Sequence, residues 1–498
     1  MVKKSLSINA VLNATRSVLN MLFPLITYPY ITAVLSVDEL GKYNFSLSII
    51  NYFALIAGLG VSSYAIREGA RIRDDKKALS LFANQMLEIN LISMCVAYVL
   101  LFVVLGVSVT LVPYRSLIVF LSIQMLFMTI GVEWVYTIFE EYQYITIRSI
   151  VFKVISIALL FIMVKNEGDV FRYAAVVMFA TTGSNILDAF FARKYFKFSF
   201  VPLQTLKNHI RPIMILFASN IAVMVYVYSD TTMLGFMADD YTVGIYAVSS
   251  KVYSMMKSVL SAVLIVSVPR LANLYGTRKI AKFKSVVQNI TDVIALLLIP
   301  SVVGLILQSK NIILFISNEK YLQAVPSLVI LSIGLISCMY GWIYNQCVLL
   351  PAQKENVILI ATIISAIVNV GLNFILIENW REIATAFTTL IAESIMLAIC
   401  RHESLQICKI KIFNKNLITV GISTVAVICI CKIVSLWKLQ STVELFVSVV
   451  LSGIGYLVVL LILRNELVIK IMRKLYQILY NVGRLTDAPA VSYTHLRA

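Results

Sequence analysis

The sequence predicts an all-α polytopic membrane protein, and three observations carry that prediction. Of its 498 residues, 60% are apolar and only 13% are charged, too little polar material to clothe the several soluble cores that this length would otherwise imply. Apolar stretches of about 18 to 25 residues recur along the chain, each long enough to cross a hydrocarbon core of about 30 Å as a helix. Lys and Arg concentrate in alternate loops, as they do where a chain crosses a bilayer repeatedly.

Taken in order between charged or Pro/Gly breaks, the apolar runs give fourteen helices, near 9–34, 43–66, 84–106, 115–139, 147–164, 170–192, 210–234, 241–269, 288–308, 325–350, 356–377, 383–400, 416–436 and 443–463. The N-terminal MVKKSLSINAVLN has no small-residue cleavage site, so the first run reads as a retained helix. With that end in the cytoplasm, the even-numbered loops and both tails carry 28 Lys and Arg, and the opposite loops carry 8. An odd number of helices would scramble that split, so both ends are expected inside. Residues 465–484 form a charged amphipathic tail. Residues 485–498, LTDAPAVSYTHLRA, break its pattern and read as non-native sequence.

The net charge of +17 does not point to nucleic acid, because the cations sit in short segments between apolar runs rather than on a solvated patch. Seven cysteines and three histidines show no metal-ligand spacing, and neither a zinc site nor a disulfide framework is expected. No Walker sequence is present, so transport would draw on a gradient rather than on nucleotide hydrolysis. No cofactor is expected, with a proton or sodium as the coupling ion.

A shift of 203 positions superposes Gly41 and Tyr43 on Gly244 and Tyr246, Ser46 on Ser249, and Arg67 on Arg270. Each Arg lies where a second helix meets a basic loop. The chain therefore reads as two halves in the same orientation, residues 1–208 with six helices and 209–402 with six more, followed by a helix pair over 403–464. Halves of this kind place a binding site at their interface and rock about it.

A cation at the bilayer centre costs about 2.5–3.5 kcal/mol, so those inside the helices need a wet cavity or a partner. In the first helix Asn9, Asn13, Arg16, Ser17, Asn20 and Thr27 share one arc, and in the eighth Ser250, Lys251, Ser254, Lys257, Ser258 and Ser261 share another. Arg16, Lys251 and Lys257, lined by Asn13, Asn20, Ser254 and Ser258, are the expected cavity cations, and such a cavity takes an anion such as pyrophosphate. The competing reading has the lysines snorkelling or paired with Asp230 or Asp292. Glu133 and Asp230 are the candidate coupling or cavity acids, whereas Asp188 and Asp292 read as structural and Glu393 as a neutraliser or interface residue. Tyr28, Tyr30 and Tyr253 stand beside the polar arcs as platforms for sugar rings, and Trp134, Trp342, Trp380 and Trp437 read as an interfacial belt.

Residues 23–74 (FPLITYPYITAVLSVDELGKYNFSLSIINYFALIAGLGVSSYAIREGARIRD), 131–149 (GVEWVYTIFEEYQYITIRS) and 229–253 (SDTTMLGFMADDYTVGIYAVSSKVY) resemble the polysaccharide-transport flippases of the multidrug/oligosaccharidyl-lipid/polysaccharide exporter superfamily. The resemblance implies two six-helix lobes around a V-shaped cavity. It implies a substrate too, an undecaprenyl-pyrophosphate-linked oligosaccharide repeat unit moved to the outer leaflet of a bacterial cytoplasmic membrane for O-antigen, capsule or exopolysaccharide. Bilayer lipid, a polysaccharide polymerase and the chain-length machinery are the implied partners, and nucleic acid is not. One departure is Ala33 in PYITAVL, where similar proteins commonly carry Arg. The alternatives are an ion-coupled small-molecule exporter of the same superfamily, a polymerase or glycosyltransferase, and a scaffold. Fourteen helices with a basic lumen disfavour the first, short outer loops the second, and buried cations the third.

Overall fold

The computed structural model describes residues 23–473 and residue 477. Among these residues the regular structure is helical throughout, with twelve helices long and apolar enough to cross a membrane. The chain begins with α1 (Phe23–Val34) and α2 (Val37–Gly58), and then α3 (Val61–Ile72) continues the line of α2. The break between them is at Leu59 (φ 45°) and Gly60 (φ 76°), where a Cβ on Gly60 would also meet Leu216 at 3.3 Å. Next come α4 (Lys76–Val107), α5 (Arg115–Ile130) and α6 (Glu133–Ile138), the last two separated by Val132 at φ 40°. After α7 (Tyr142–Met163), α8 (Val170–Met178) passes through a π-helical turn into α9 (Asn185–Phe191).

There follow α10 (Lys207–Met237), α11 (Asp240–Gly276), α12 (Ile280–Leu307), the short α13 (Ser309–Ile316) and α14 (Ala324–Trp342). A π-helical segment, Ile343–Leu349, ends the α14 span. Then α15 (Glu355–Ser404) runs for 50 residues, a rod of about 75 Å if straight. It is not straight: Thr388 Oγ1 donates to Asn373 Oδ1 at 2.7 Å, although 15 residues of helix span about 22 Å. The chain reverses at Arg381 (φ 46°, ψ -126°), and the expected helices 356–377 and 383–400 are the arms of this hairpin. Finally, α16 (Lys415–Leu436) and α17 (Ser441–Ile462) pack as a pair on α12. The expected first helix lies mostly outside the described residues.

The 203-residue shift has a physical counterpart. α2 starts at Val37 behind the N-cap Ser36, and α11 starts at Asp240 behind the N-cap Asp239. Burial works against the Asp239 carboxylate, but bonds from Thr242 and the Arg381 guanidinium outweigh it and hold its carboxyl below the usual range. Where the two helices cross, a Cβ on Gly41 would lie 1.7 Å from the Asp240 carbonyl oxygen, and one on Gly244 would lie 2.2 Å from that of Val37. Residue 41 thus meets 240 while 37 meets 244, the reciprocal pattern of a two-fold contact. The largest buried apolar cluster runs from Ile31 and Phe45 to Leu264, Phe283 and Tyr321, so it joins the two parts rather than belonging to either. Apolar side chains such as Val103, Phe374 and Val449 face outward, as lipid as the solvent requires.

Candidate functional site

Built from its residues upward, the polar interior has three parts. The first is the face of α11. Lys251 is half-buried, and its Nζ stands 5.7 Å from the centre of the Tyr28 ring on α1. It makes no ion pair among the described residues, and Ser254 and Ser258, three and seven positions on, are exposed. Lys251 is therefore a cation held between the two parts of the chain. Lys257, six residues further and so about 120° around the helix, points the other way. Its Nζ donates to Glu393 Oε1 at 3.3 Å, Tyr253 donates to the same oxygen at 3.1 Å, and the rings of Tyr253 and Trp342 lie 5.8 and 5.9 Å from the ammonium.

Lys257 is thus a paired cation, and its expected role as a free cavity cation is corrected. The competing reading was right that a carboxylate takes it, but the partner is Glu393 rather than Asp230 or Asp292. Leaving one member of a buried pair alone costs about 3 kcal/mol or more, whereas removing both is often near neutral. Lys257→Met and Glu393→Gln should each lower the thermal unfolding midpoint in detergent, and the double variant should lower it less than the sum. Strictly additive losses would show that the pair does not act as one unit.

The second part is the Asp230 carboxylate on α10, 8% exposed. It meets no cation. Oδ1 accepts from Asn373 Nδ2 at 2.7 Å and Asn369 Nδ2 at 3.1 Å, and Oδ2 from Thr389 Oγ1 at 2.5 Å and Tyr246 OH at 2.9 Å. Ser229 and Thr388 tie the two asparagine oxygens in turn. Both arms of α15 and the neighbouring α11 therefore converge on one carboxylate, and this buried polar network is satisfied throughout. Sequence reading singled out Asp230 but not Asn369, Asn373, Thr388 or Thr389. The signal was there, since two asparagines at i and i+4 within an apolar span share a face.

The third part lies in the first half. Arg148, read from sequence as a loop cation, is buried on α7 between Asp188 of α9 and Glu133 of α6, whose Oε2 accepts from Nη2 at 3.2 Å. Glu133 also lines a cavity of about 260 Å³ with Asn90, Thr129, Trp134 and Asn185. The structure therefore brings Glu133 together with Arg148 and Asp188, and not with Lys251 or Lys257.

Arg16, Asn13 and Asn20 lie outside the described residues. The aromatic platforms are corrected: Tyr28 and Tyr253 are buried, and Tyr30 donates to the Val164 carbonyl at 2.7 Å while packing on Phe161. Tyr28 and Tyr253 thus present no open ring, and Tyr30 is half-buried. Two tryptophans also leave the expected belt, since Trp134 is buried and Trp342 covers Lys257, while Trp380 and Trp437 stay exposed.

The model of the family described as polysaccharide biosynthesis protein matches residues 7–275. Two relatives carry the name "Putative O-antigen transporter". The one from Shigella dysenteriae is 24% identical over 53% of this chain and 67% of its own length, and the one from Escherichia coli K12 is 23% identical over 82% of this chain and 99% of its own. Among solved structures, the lipid II flippase MurJ in an inward closed conformation has a TM-score of 0.73 at 14% identity, covering 93% of this chain and 99% of that one. An inward-facing multidrug transporter of the MATE family and MOP superfamily has a TM-score of 0.58 at 13% identity, covering 79% and 95%. These structures share the helix arrangement of this chain. The resemblance read from residues 23–74, 131–149 and 229–253 falls within the matched region, and with more than half of its length so matched, the chain belongs to the polysaccharide biosynthesis protein family.

Proposed function

We propose that the protein is a flippase that carries undecaprenyl-pyrophosphate-linked oligosaccharide repeat units from the cytoplasmic to the outer leaflet of the bacterial cytoplasmic membrane for surface polysaccharide assembly. Residues 1–208 and 209–402 rock against each other, 403–464 form an added helix pair, and both termini face the cytoplasm. The single observation that carries this reading is Lys251, an ammonium without a carboxylate partner among the described residues, set against α1 where the two halves meet. An uncompensated cation in a poorly hydrated site is costly, and an anionic head group offsets that cost. Family membership and the relatives' names support the same substrate class. The halves meet at the reciprocal glycine crossing, which gives the rocking motion its fulcrum.

A host lacking the gene tests the class. Lipid-linked units should accumulate on the cytoplasmic leaflet of spheroplasts, relieved by a plasmid copy. Unpolymerised units on the outer leaflet would point instead to polymerisation.

Asp230 is the proposed coupling group, for a proton or for sodium. A carboxylate surrounded by amide and hydroxyl groups, with no fixed counter-charge, accepts either ion, and oxygen ligands suit a hard cation. Asp230→Asn keeps the shape and removes the charge. The variant should be produced at normal levels, yet its export rate should no longer respond to a pH or sodium gradient. A wild-type response in that variant would contradict the coupling role.

A further inference from the structure

A groove of about 740 Å³ opens between α4, α5 and α8, away from the three polar clusters. Its walls are Tyr98 and Phe102 of α4, Val119, Phe120 and Ile123 of α5, and Phe171 of α8. Phe102, stacked on Tyr98, is 53% exposed and Phe171, edge-on to Phe120, is 40% exposed, so each keeps an open side among the described residues. At the head of the groove stand Arg115, the first residue of α5, and the exposed Ser116. From Arg115 to Ile123 the groove runs about 12 Å at 1.5 Å per residue, within the roughly 15 Å depth of one leaflet.

Arg115 is one of several outer-loop cations, with Lys42, Lys165, Lys310 and Lys438, that make no ion pair among the described residues, and of these it is the one that heads the groove. Arg172 is paired with Asp169 at 3.0 Å, Lys320 with Glu167 at 3.2 Å and Arg381 with Asp239 at 3.0 Å. Arg115 has no carboxylate among the described residues. Its Nη2 reaches the Gly106 carbonyl only at 3.4 Å, and its buried Nε has no hydrogen-bond partner. A guanidinium presents five donors in a fork that matches phosphate oxygens.

We propose that this groove is a binding site for one anionic phospholipid of the outer leaflet. The phosphate sits on Arg115 beside the Ser116 hydroxyl, and an acyl chain lies along Val119 and Ile123 between the rings. A head of net charge −1 neutralises the unpaired cation, and a single tail fills an apolar slot one leaflet deep. The site is separate from the interface that holds Lys251 and does not need the transport reading, while its placement in the outer leaflet rests on the topology proposed above.

Native mass spectrometry of the purified full chain, titrated with palmitoyl-oleoyl phosphatidylglycerol or the matching phosphatidylethanolamine, tests it. The wild type should retain one phosphatidylglycerol in preference to phosphatidylethanolamine after the micelle is stripped. Arg115→Gln should lower that occupancy roughly tenfold, the loss expected for a hydrogen-bonded charge pair. Arg115→Lys should retain part of it. Val119→Trp, which fills the slot and leaves the cation, should lower it as well, and it decides the matter if Arg115→Gln does not fold. Arg172→Gln should have no effect. Equal occupancy in wild type and Val119→Trp, equal uptake of the two phospholipids, a retained polyprenyl phosphate in place of phospholipid, or a dimer that buries this face would each overturn the proposal.

Discussion

Lys251→Gln is expected to reduce export of lipid-linked repeat units at least about tenfold while leaving protein levels unchanged, because one charge-assisted hydrogen bond to phosphate contributes about 1.5–3 kcal/mol. The side chain is half-buried and meets the Tyr28 ring at 5.7 Å, with no acid among the described residues to release when the charge goes. Its removal therefore strands no partner, in contrast to Lys257. Arg at this position keeps a cation that binds phosphate and should retain most export. A complementation assay of surface polysaccharide, with immunoblots for level, separates these outcomes. Full export by Lys251→Gln would remove the cation from the mechanism.

The second large effect is expected at the glycine crossing. At Gly41 and Gly244 the atoms in the way are backbone carbonyl oxygens of Asp240 and Val37, which no side-chain rotation can clear. Gly41→Leu or Gly244→Val must push α2 and α11 apart. Overpacking of this kind costs about 1–3 kcal/mol, enough to shift a two-state population by roughly ten- to a hundredfold. On the proposed topology the crossing lies at the outer ends of the helices, so the variants should hold the outer side open and lose export. Val37→Cys reports the change: buried beside Gly244, it should resist a membrane-impermeant maleimide in the otherwise wild-type chain and label rapidly with Gly41→Leu. Unchanged labelling and export would show that the crossing does not move.

Much of the fold was legible because lipid imposes simple rules. Apolar length marked the spans. The shared residues 203 positions apart include Gly41 and Gly244, but that their helices cross there was seen only in the structure, since small residues permit a close approach without requiring one. Lys251 was legible too, as a charge inside a span. Pairing was not. Glu393 lies 136 residues from Lys257, and nothing local ranks it above the other acids as a partner. Arg148 sits near a turn in the sequence, and the basic loops around it gave it a loop residue's reading, although α6 and α9 enclose it. Of the four side chains around Asp230, three come from the two arms of a hairpin that forms only when α15 reverses at Arg381, and the fourth, Tyr246, comes from α11. Aromatic side chains misled for a related reason: a tyrosine beside a polar arc can turn its ring into the core, as Tyr28 and Tyr253 do.

In the proposed mechanism this chain alone moves a pyrophosphate-linked lipid across a bilayer with Lys251 on the path. The most direct measurement is dithionite quenching of a fluorescent polyprenyl-pyrophosphate oligosaccharide in vesicles reconstituted with the purified protein. With wild-type protein and an imposed ion gradient, label from the protected inner leaflet should become accessible, and with Lys251→Gln the trace should match protein-free vesicles. Wild-type traces no faster than protein-free ones, or equal rates for wild type and Lys251→Gln, would contradict it.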